Sequence, residues 1–383
     1  MAGNLNKKIK VLHIITSLST GGAEMMLYKL VSKINRSCFD IYIASLTNIS
    51  LMGEKIEKLN IPVVAVGMKR GWRSFFSFSG FFKLLRIVKN YKPDVIQTWM
   101  YHSDLIGGLV GKILKIPVIW NIRHSNLKPK YNKKTTIWTA KICAKFSKTL
   151  PEKIICCSYA SKNVHSKLGY DKNKMVVIPN GFDLDIFFPD RKGREKIRKE
   201  LGIDEKTIVV GFFARFDPLK DHKNFFEAAK IVHKVYPDVH FLLCGDGINW
   251  ENKKLREWIK KSGVEKITHL LGRQDDMKNI YNSIDVFCSS SFSEGFPNVI
   301  GEAMACGVPC VVTDVGDSAI IVKDTGFVVP PKKPQALAKA IIKVIEMGKE
   351  KRRELGKKAR DRIRQNFLIE KVVKRYENLY RNF

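Results

Sequence analysis

Short apolar runs of β-forming residues alternate with longer stretches of helical periodicity along most of the chain. Seven such runs lie before the polar stretch 183–205 and five lie after it. The predicted strands are Ile9–Ile15, Ile41–Leu46, Val63–Val66, Val95–Gln97, Val118–Asn121, Ile154–Ser158, Val176–Pro179, Thr207–Phe213, His240–Cys244, Ile267–Leu271, Val286–Ser289 and Pro309–Thr313. Strands that alternate with helices are typical of parallel sheets built from βαβ units. We therefore predict an α/β chain with two doubly wound domains, 1–188 and 189–365, and a final amphipathic helix within 366–383.

The positions that directly follow these strands are where we expect functional side chains. Ligands of open α/β sheets bind beyond the carboxyl ends of the strands. Two such sheets that face each other would place the site in the cleft between the domains. The polar residues that come just after a predicted strand are therefore the candidates.

Composition and charge narrow the class of protein and of partner. Of the 383 residues, 45% are hydrophobic and 27% charged, so the chain can bury a core and is neither disordered nor a coiled coil. The formal net charge is +31, and residues 1–188 alone hold 30 basic and 10 acidic side chains. Such a charge attracts nucleic acid, anionic lipid or phosphorylated small molecules, and it says nothing about the fold.

The sequence shows no sign of secretion, of a membrane span or of a metal site. No apolar run approaches the ~18–20 residues that cross a bilayer, and Ile9–Ile15 is too short for a signal peptide, so we expect a cytosolic protein. The eight cysteines form no Cys-x-x-Cys pair and no Cys/His ligand spacing. Asp183-Leu184-Asp185 lacks a phosphate-binding context beside it. We therefore expect neither a disulfide framework nor a bound metal.

The segment 293–307 carries the strongest chemical pattern, because it follows a predicted strand and opens a helix. Pro297 suits the first helical turn, which places Glu294 just before the helix and Glu302 on its second turn. Gly295 lets a ligand approach the backbone, and the free N–H groups of the first turn form an anion site. A phosphate flanked by two carboxylates fits a nucleotide-sugar, since one carboxylate can accept hydrogen bonds from the sugar hydroxyls and the other from the ribose hydroxyls. The alternative is one capping and one solvated glutamate, which the whole context disfavours.

A second pattern places two cations after the first strand of the second domain. Arg215 follows that strand closely, and Lys220 lies in the loop before Asp221, which is predicted to cap the next helix. An arginine and a lysine that converge would neutralise a diphosphate, the arginine through its planar fork and the lysine as a point charge. The alternative, an exposed surface cation, applies better to Lys223.

Weaker candidates follow three strands of the first domain. Gly21-Gly22 joins the first strand to the first helix. Two explanations for this pair are equally good: a tight turn, or a backbone that a ligand can approach closely. No Gly-x-Gly-x-x-Gly is present, so the fingerprint of a nicotinamide or flavin enzyme is missing. His102 follows the fourth strand, although a lone histidine is more often structural. Arg123 and His124 follow the fifth strand.

Together these segments resemble the retaining GT-B glycosyltransferases of family 4, which transfer sugars from nucleotide donors in bacterial lipopolysaccharide, capsule and glycolipid synthesis. The resemblance extends from Val11 to nearly the end of the chain, and it departs from the family pattern at 315–320. Its specific parts are Gly21-Gly22, Arg215 with Lys220, and Glu294-x7-Glu302. It implies a GT-B fold, with two Rossmann-like domains facing an interdomain cleft and the final helix crossing back onto the first domain.

The resemblance also implies a role for each matching residue. Arg215 and Lys220 would hold the donor diphosphate and stabilise it as a leaving group, Glu294 would bind the sugar hydroxyls, and His102 would touch the transferred sugar. Donor binding would further involve Gly22, Leu271, Gly295, Phe296, Val299 and Glu302. Apart from the resemblance, the position of Arg123 and His124 after a strand of the N-terminal domain makes them candidates for the acceptor side.

The implied activity is transfer of a hexose or N-acetylhexosamine with retention, from a UDP-sugar rather than a GDP-sugar, to a lipid-linked glycan in cell-surface polysaccharide synthesis. The implied path is a front-face substitution with no metal and no cofactor, the nucleotide-sugar being a substrate. Two alternatives stay open: a sugar-nucleotide epimerase of the same fold and a basic nucleic-acid-binding protein. The second is disfavoured, because Glu294 and Glu302 would repel a polyanion.

Two basic segments interleave cations with aromatic residues and are candidates for membrane contact. These are Trp72–Phe78 and Lys128–Lys145, whereas Phe81–Val88 is predicted to be a helix packed on the core. A basic segment with exposed aromatics can lie in an anionic membrane interface, and the alternative is a solvated face. We expect peripheral association with the inner face of the plasma membrane.

Overall fold

The computed structural model describes residues 7–69 and 78–383. The chain divides into two compact units, each built on a parallel β-sheet. Unit 1 comprises Met1–Gly181 and Ile369–Phe383, and unit 2 comprises Phe182–Leu368. The first division thus falls before the predicted one at residue 188, and the second falls after the predicted one at residue 365.

In the described residues of unit 1, a sheet of seven strands alternates with helices along the chain. The strands are β1 Ile9–Ile15, β2 Phe39–Ser45, β3 Val63–Ala65, β4 Val95–Trp99, β5 Val118–Ile122, β6 Lys153–Cys156 and β7 Met175–Val177. The helices described are α1 Gly22–Lys33, α2 Leu51–Glu57, α3 Phe78–Tyr91, α4 Tyr101–Leu114, α5 Lys134–Phe146 and α6 Tyr159–Leu168. The sheet order is β3-β2-β1-β4-β5-β6-β7 with parallel pairing throughout, so the order reverses between β1 and β4.

Unit 2 repeats this plan with six strands. They are β8 Val209–Phe213, β9 His240–Cys244, β10 Thr268–Leu270, β11 Val286–Ser289, β12 Cys310–Thr313 and β13 Phe327–Val329. The helices are α7 Arg191–Glu200, α8 His222–Val235, α9 Lys253–Ser262, α10 Met277–Ser283, α11 Asn298–Ala305, α12 Ser318–Val322, α13 Pro334–Glu346 and α14 Gly348–Asn366. The order β10-β9-β8-β11-β12-β13 reverses between β8 and β11.

The strands are continuous apolar runs in the sequence, because helices and loops cover both faces of each parallel sheet. Every residue of β4, β5 and β8 is buried. The twelve predicted strands are all present, with ends that differ from the prediction by at most two residues. The strand β13 was missed; its apolar run has three residues and is followed at once by Pro330 and Pro331.

The polar stretch 183–205 is part of unit 2 rather than a linker, since it contains the helix α7. Arg198 of this helix is almost fully buried and pairs with Asp285 at 2.7 Å. Its guanidinium also donates to the main-chain oxygens of Ser283, Asp204 and Thr207. A buried arginine that is neutralised and hydrogen-bonded in this way holds α7, whose sequence is otherwise polar, against the rest of unit 2.

The final helix, α15 Ile369–Tyr380, belongs to unit 1. Its buried stripe of Ile369, Val372, Val373, Tyr376 and Tyr380 shares a hydrophobic core with residues of β1 and α1. The spacing of these residues is that of one helix face, which is why the sequence alone predicted an amphipathic helix here.

Candidate active site

In unit 2, the sequence-predicted residues lie at the carboxyl ends of the two strands between which the sheet order reverses. Arg215 follows β8, and Glu294 follows β11. The reversal separates the loops that leave these two strands, so a ligand can enter between them. This local geometry explains why residues so far apart in sequence can serve one site.

Lys220 and Glu294 form an ion pair across this point, with Nζ 2.5 Å from Oε1. The side chains are 20% and 11% exposed, so water screens the pair only in part. The hydroxyl of Ser291 donates to the same carboxylate oxygen at 2.7 Å. The structure therefore brings together the lysine and the glutamate that the sequence analysis assigned to one site.

Main-chain contacts hold the two loops against each other. The hydroxyl of Ser290 donates to the carbonyl oxygens of Lys220 and Asp221, both at 3.0 Å. The N–H of Phe292 donates to the carbonyl oxygen of Leu219 at 3.0 Å. These hydrogen bonds between the two loops therefore support the position of the ion pair.

Arg215 extends into solvent, with 65% of its side chain exposed. Its Nε and Nη2 both donate to Oδ2 of Asp217, at 3.1 and 3.0 Å. The other oxygen of Asp217 accepts from the N–H of Leu219. Burial alone would raise the pKa of Asp217, but these hydrogen bonds outweigh it and lower the pKa, so the carboxylate stays charged. Arg215 is thus an exposed cation held near the loop by a neighbouring carboxylate.

The helix α11 begins at Asn298, after Pro297 at the N-cap position. The side chain of Pro297 makes no cap hydrogen bond to the first turn. The first N–H groups of a helix can bind an anion. Gly295 precedes this start and is half-buried, as is Val299 on the first turn.

The ring of Phe296 is buried and packs against Phe182 and Phe367, with centroids 6.2 and 5.7 Å apart. The backbone of Phe296, rather than its ring, is therefore the part that lies at the helix start. Its packing fixes the position of the loop that carries Glu294.

Glu302 lies on the second turn of α11, and its Oε2 accepts a hydrogen bond from the hydroxyl of Tyr281 at 3.0 Å. Tyr281 is fully buried between β8 and β11 side chains. Burial, with Glu302 nearby, raises the pKa of Tyr281 well above its usual range, so the phenol stays protonated and donates. The sequence analysis missed Tyr281, because it lies in α10 with no local signal that points to Glu302.

A second feature that the sequence analysis missed is the role of Gly316 in the loop after β12. Gly316 has a φ of +59°, and a Cβ there would lie 2.5 Å from the carbonyl oxygens of Glu294 and Gly295. The N–H of Asp317 donates to the carbonyl oxygen of Gly295 at 2.9 Å. The loop that departs from the family pattern therefore supports the segment that carries Glu294.

Leu271 follows β10 and is half-buried. Its N–H donates to the carbonyl oxygen of Leu243, and its own carbonyl oxygen accepts from Gln274. Gly272 next to it has a φ of +63° and lets the chain turn away from the sheet. Leu271 thus lies at the same carboxyl-terminal edge as Arg215.

In unit 1, Gly22 and His102 follow β1 and β4, the strands that flank the order reversal of that sheet. A Cβ on Gly22 would meet no atom within 4 Å, so its backbone is open to a ligand. The Nε2 atom of His102 lies 3.5 Å from the hydroxyl of Thr139. Burial lowers the pKa of His102, so the imidazole is neutral near pH 7. Met100, just before α4, has a φ of +74°, a strained conformation for a residue with a side chain.

Arg123 and His124 follow β5 on the same edge. The Nη2 of Arg123 donates to Oδ1 of Asn180. The ring of His124 packs edge-on against Tyr101, and burial lowers its pKa. All four sequence-predicted residues of unit 1 therefore lie at the carboxyl-terminal edge of one sheet.

The described residues offer neither a metal-binding cluster nor a membrane-spanning helix. Within residues 7–69 and 78–383, no group of three or more histidine, cysteine, aspartate or glutamate side chains is placed to hold a metal ion. Within the same ranges, every helix is too short or too polar to cross a bilayer.

Comparison with known families identifies the chain. The family model for "Glycosyltransferase Family 4" matches residues 20–186, and the model for "Glycosyl transferases group 1" matches residues 193–362. The two matches together span most of both units. The chain belongs to glycosyltransferase family 4. It is therefore a glycosyltransferase, as the resemblance of its motifs implied.

Curated relatives of this glycosyltransferase include two bacterial enzymes. The chain is 27% identical, over 78% of its length and 77% of the relative, to UDP-Gal:alpha-D-GlcNAc-diphosphoundecaprenol alpha-1,3-galactosyltransferase of Escherichia coli. It is 25% identical, over 86% of its length and 89% of the relative, to N,N'-diacetylbacillosaminyl-diphospho-undecaprenol alpha-1,3-N-acetylgalactosaminyltransferase of Campylobacter jejuni.

Solved structures show the fold of this glycosyltransferase. HepE of Anabaena, solved in complex with UDP and glucose, matches with a TM-score of 0.85 at 23% identity and covers 98% of this chain and 100% of its own. WaaG, a glycosyltransferase involved in lipopolysaccharide biosynthesis, matches with a TM-score of 0.72 at 13% identity over 97% and 99% of the two chains. The predicted GT-B fold is confirmed.

Proposed function

We propose that this glycosyltransferase transfers a hexose or N-acetylhexosamine from a UDP-sugar, with retention, to a lipid-linked glycan in cell-surface polysaccharide or lipopolysaccharide synthesis. The observation that carries the proposal is the contact between Lys220 and Glu294 beside the start of α11. A cation, a carboxylate and a helix N-terminus at one edge of a sheet suit a sugar joined to a diphosphate.

The names of the relatives support the choice of substrates. The Escherichia coli relative is named for a UDP-galactose donor and a diphosphoundecaprenol-linked acceptor, and the Campylobacter jejuni relative is named for a diphospho-undecaprenol-linked acceptor. HepE was solved with UDP. A UDP-sugar is therefore favoured over a GDP-sugar, and a lipid-linked acceptor over a soluble one.

The proposed reaction is a front-face substitution at the anomeric carbon. The bond from that carbon to the β-phosphate oxygen breaks, and the nucleoside diphosphate leaves with the electron pair. The acceptor hydroxyl oxygen forms the new bond on the same face, and its proton passes to an oxygen of the departing phosphate. Arg215, Lys220 and the start of α11 stabilise the charge that develops there, Glu294 and His102 hold the sugar, and Glu302 holds the ribose.

Binding of a donor diphosphate would change two ion pairs. Lys220 is paired with Glu294, and Arg215 is paired with Asp217. A donor diphosphate would draw both cations, and the hydroxyl groups of the sugar would replace Lys220 as partners of Glu294. Each group is thus held near its working position before the donor arrives, which lowers the cost of ordering it.

Removal of either cation tests the proposal. We expect Arg215→Ala and Lys220→Ala to lower kcat by about 10²–10³-fold with UDP-sugar and a lipid-linked acceptor, because the charge of the leaving group loses its partner. Lys223→Ala is the matched control, since Lys223 is exposed and pairs only with Glu227 on α8 among the described residues. Full turnover in the Lys220→Ala enzyme would rule out this site.

The stereochemistry and the requirement for metal are separate outcomes of the same assay. The product should carry the anomeric configuration of the donor by NMR, and turnover should persist in the presence of a chelator. An inverted product would exclude the front-face path. Conversion of the donor to its epimer without acceptor would favour a sugar-nucleotide epimerase, and nucleic-acid affinity without donor binding would favour the other alternative.

Membrane association is part of the proposal and rests on unit 1. On α5, Trp138 is 49% exposed and lies on one helix face with the exposed lysines Lys134, Lys141 and Lys145. On α3, Phe78 and Phe82 are exposed and stacked, while Leu84 and Val88 pack into the core. The remainder of the segment Trp72–Phe78 lies outside the described residues. Exposed aromatics among lysines suit an anionic bilayer surface, so we propose peripheral binding at the inner face of the plasma membrane.

A further inference from the structure

Arg123 has an unusual environment for a charged side chain of unit 1. Its guanidinium lies over the ring of Trp99, with Cζ 5.7 Å from the ring centroid, and Trp99 is fully buried. The Nη2 atom donates to the amide oxygen of Asn180, which is a neutral partner. The guanidinium is therefore held in place from two sides.

The charge of Arg123 is not neutralised by this environment. Among residues 7–69 and 78–383, no carboxylate lies within ion-pair distance of its guanidinium, and its Nη1 atom is shielded from solvent without a hydrogen-bond partner. A shielded donor without a partner and a charge without a counterion are both unfavourable. Arg198 of unit 2 shows how a buried arginine is usually neutralised, since it pairs with Asp285 and donates to main-chain oxygens.

The position of Arg123 indicates what could supply the missing partner. Arg123 follows β5 at the edge of the sheet where ligands of such sheets bind, next to β4 and the helix that carries His102. The loop that begins after it is ordered by hydrogen bonds from Asn132 to the carbonyl oxygens of Asn126 and Lys128, and it leads into the basic helix α5. An anion bound to Arg123 would therefore lie at the ligand edge of unit 1, where the chain leads on to the basic helix α5.

We propose that Arg123 binds a phosphate group of the acceptor, in the diphosphate that joins the glycan to its lipid. This inference rests on the proposed function. The planar fork of an arginine matches the oxygens of a phosphate, and the orphaned Nη1 would gain a charged acceptor. His124 adds no charge, because burial lowers its pKa and keeps it neutral near pH 7. The donor diphosphate is assigned to Arg215 and Lys220 in unit 2, so Arg123 serves the other substrate.

Two acceptors that differ only in the linkage test the inference. One carries the glycan on a lipid diphosphate, and the other carries the same glycan on an uncharged alkyl chain. The wild-type enzyme should show a KM for the diphosphate acceptor that is lower by about 10- to 100-fold, the usual effect of a charged hydrogen bond. Arg123→Gln should remove most of this difference by raising the KM of the diphosphate acceptor alone, while the KM of the UDP-sugar stays unchanged.

Two further variants make the test specific. Arg123→Lys keeps the charge but loses the fork, so it should recover part of the preference for the diphosphate acceptor. Lys112→Gln removes an exposed charge of unit 1, at the far end of α4, and should leave both KM values unchanged. Turnover of the alkyl acceptor reports on folding within each variant.

Several outcomes would overturn the inference. An equal rise of KM for both acceptors in Arg123→Gln would show a structural role, and a rise confined to the UDP-sugar would assign Arg123 to the donor diphosphate. A wild-type enzyme that does not distinguish the two acceptors would exclude phosphate recognition altogether. Each of these results can be told apart from a failure of the proposed function, because the Lys220→Ala variant tests that function separately.

Discussion

At the scale of single residues, two hydroxyl groups hold the two carboxylates of the proposed donor site. Ser291 donates to Glu294 at 2.7 Å, and Tyr281 donates to Glu302 at 3.0 Å. Neither hydroxyl belongs to a motif that the sequence displays, although Ser291 lies in a run of serines after β11. A carboxylate that is oriented before its ligand arrives loses less conformational entropy on binding.

Tyr281→Phe tests this positioning, because it removes the hydroxyl and leaves the buried ring. We expect the KM of the UDP-sugar to rise about 3- to 10-fold, as for the loss of one hydrogen bond, while kcat changes little. Tyr91→Phe is the matched control, since Tyr91 donates a similar hydrogen bond to the carbonyl oxygen of Asp40 in unit 1. Steady-state kinetics of both variants measure the KM of the UDP-sugar. An unchanged KM in Tyr281→Phe would mean that the hydrogen bond from Tyr281 does not help Glu302 to bind the donor.

At the scale of elements, short loops set the position of the site more than the helices and strands do. The loop after β12 reaches the segment before α11 only because Gly316 has no side chain and adopts a positive φ. Similarly, Gly245 has a φ of +148°, and a Cβ there would collide with the backbone of Ala214 and Arg215. Both glycines let one loop touch the backbone of another.

Gly316→Ala should therefore disturb Glu294 from a distance. A Cβ at this position meets two carbonyl oxygens, so the loop must shift, and we expect kcat/KM for the UDP-sugar to fall at least about tenfold. Gly263→Ala is the control, because Gly263 also has a positive φ, of +70°, but a Cβ there meets nothing within 4 Å. The control should lose about 1 kcal/mol of stability through backbone strain alone and keep its activity. Equal kinetics of the two variants would argue against the contact with Glu294.

At the scale of the whole molecule, buried polar groups tie the final helix to the sheet of unit 1. The hydroxyls of Tyr380 and Tyr376 meet Gln97 and Asn121 of the sheet, and His13 on β1 accepts a hydrogen bond from the indole of Trp99 at 3.2 Å. Burial lowers the pKa of His13 to about 3, so the imidazole stays neutral in the folded protein. The last residues of the chain are thus part of a core that begins at its first strand.

The stability of the enzyme should depend on pH through His13. The unfolded chain binds a proton to this histidine below about pH 6.5, whereas the folded protein does not, so acid favours unfolding. In the His13→Gln variant the unfolded chain has no histidine to protonate at this position, so the variant should lose less stability in acid. We expect the difference in free energy of unfolding between wild type and variant to shrink by about 1.4 kcal/mol per pH unit below about pH 6.5. Urea unfolding at several pH values measures it, and a constant difference would show that His13 is protonated in the folded state.

The sequence by itself determined the class of fold and most of its strands. Apolar runs that are buried on both faces, such as β8, need no tertiary information to be recognised, and the stripe of α15 follows from its period. The pattern around Glu294 and Glu302 likewise pointed to a phosphate and sugar site, because helix starts and carboxylates carry that chemistry locally. Length alone does not explain the strand that escaped, since the three-residue strands β3, β7 and β10 were predicted and β13 was not.

Only the tertiary structure decided which of these residues meet and what holds them. Two contacts join residues that are distant in sequence: Lys220 pairs with Glu294, and the hydroxyl of Tyr281 donates to Glu302. The sequence likewise does not reveal that Nη1 of Arg123 lacks a hydrogen-bond partner. Local propensities act over a few residues, whereas contacts at the carboxyl edge of a parallel sheet depend on strand order and on loops that a side chain could block. Charge and periodicity can be counted along a chain, but the neutralisation of a charge depends on its neighbours in space.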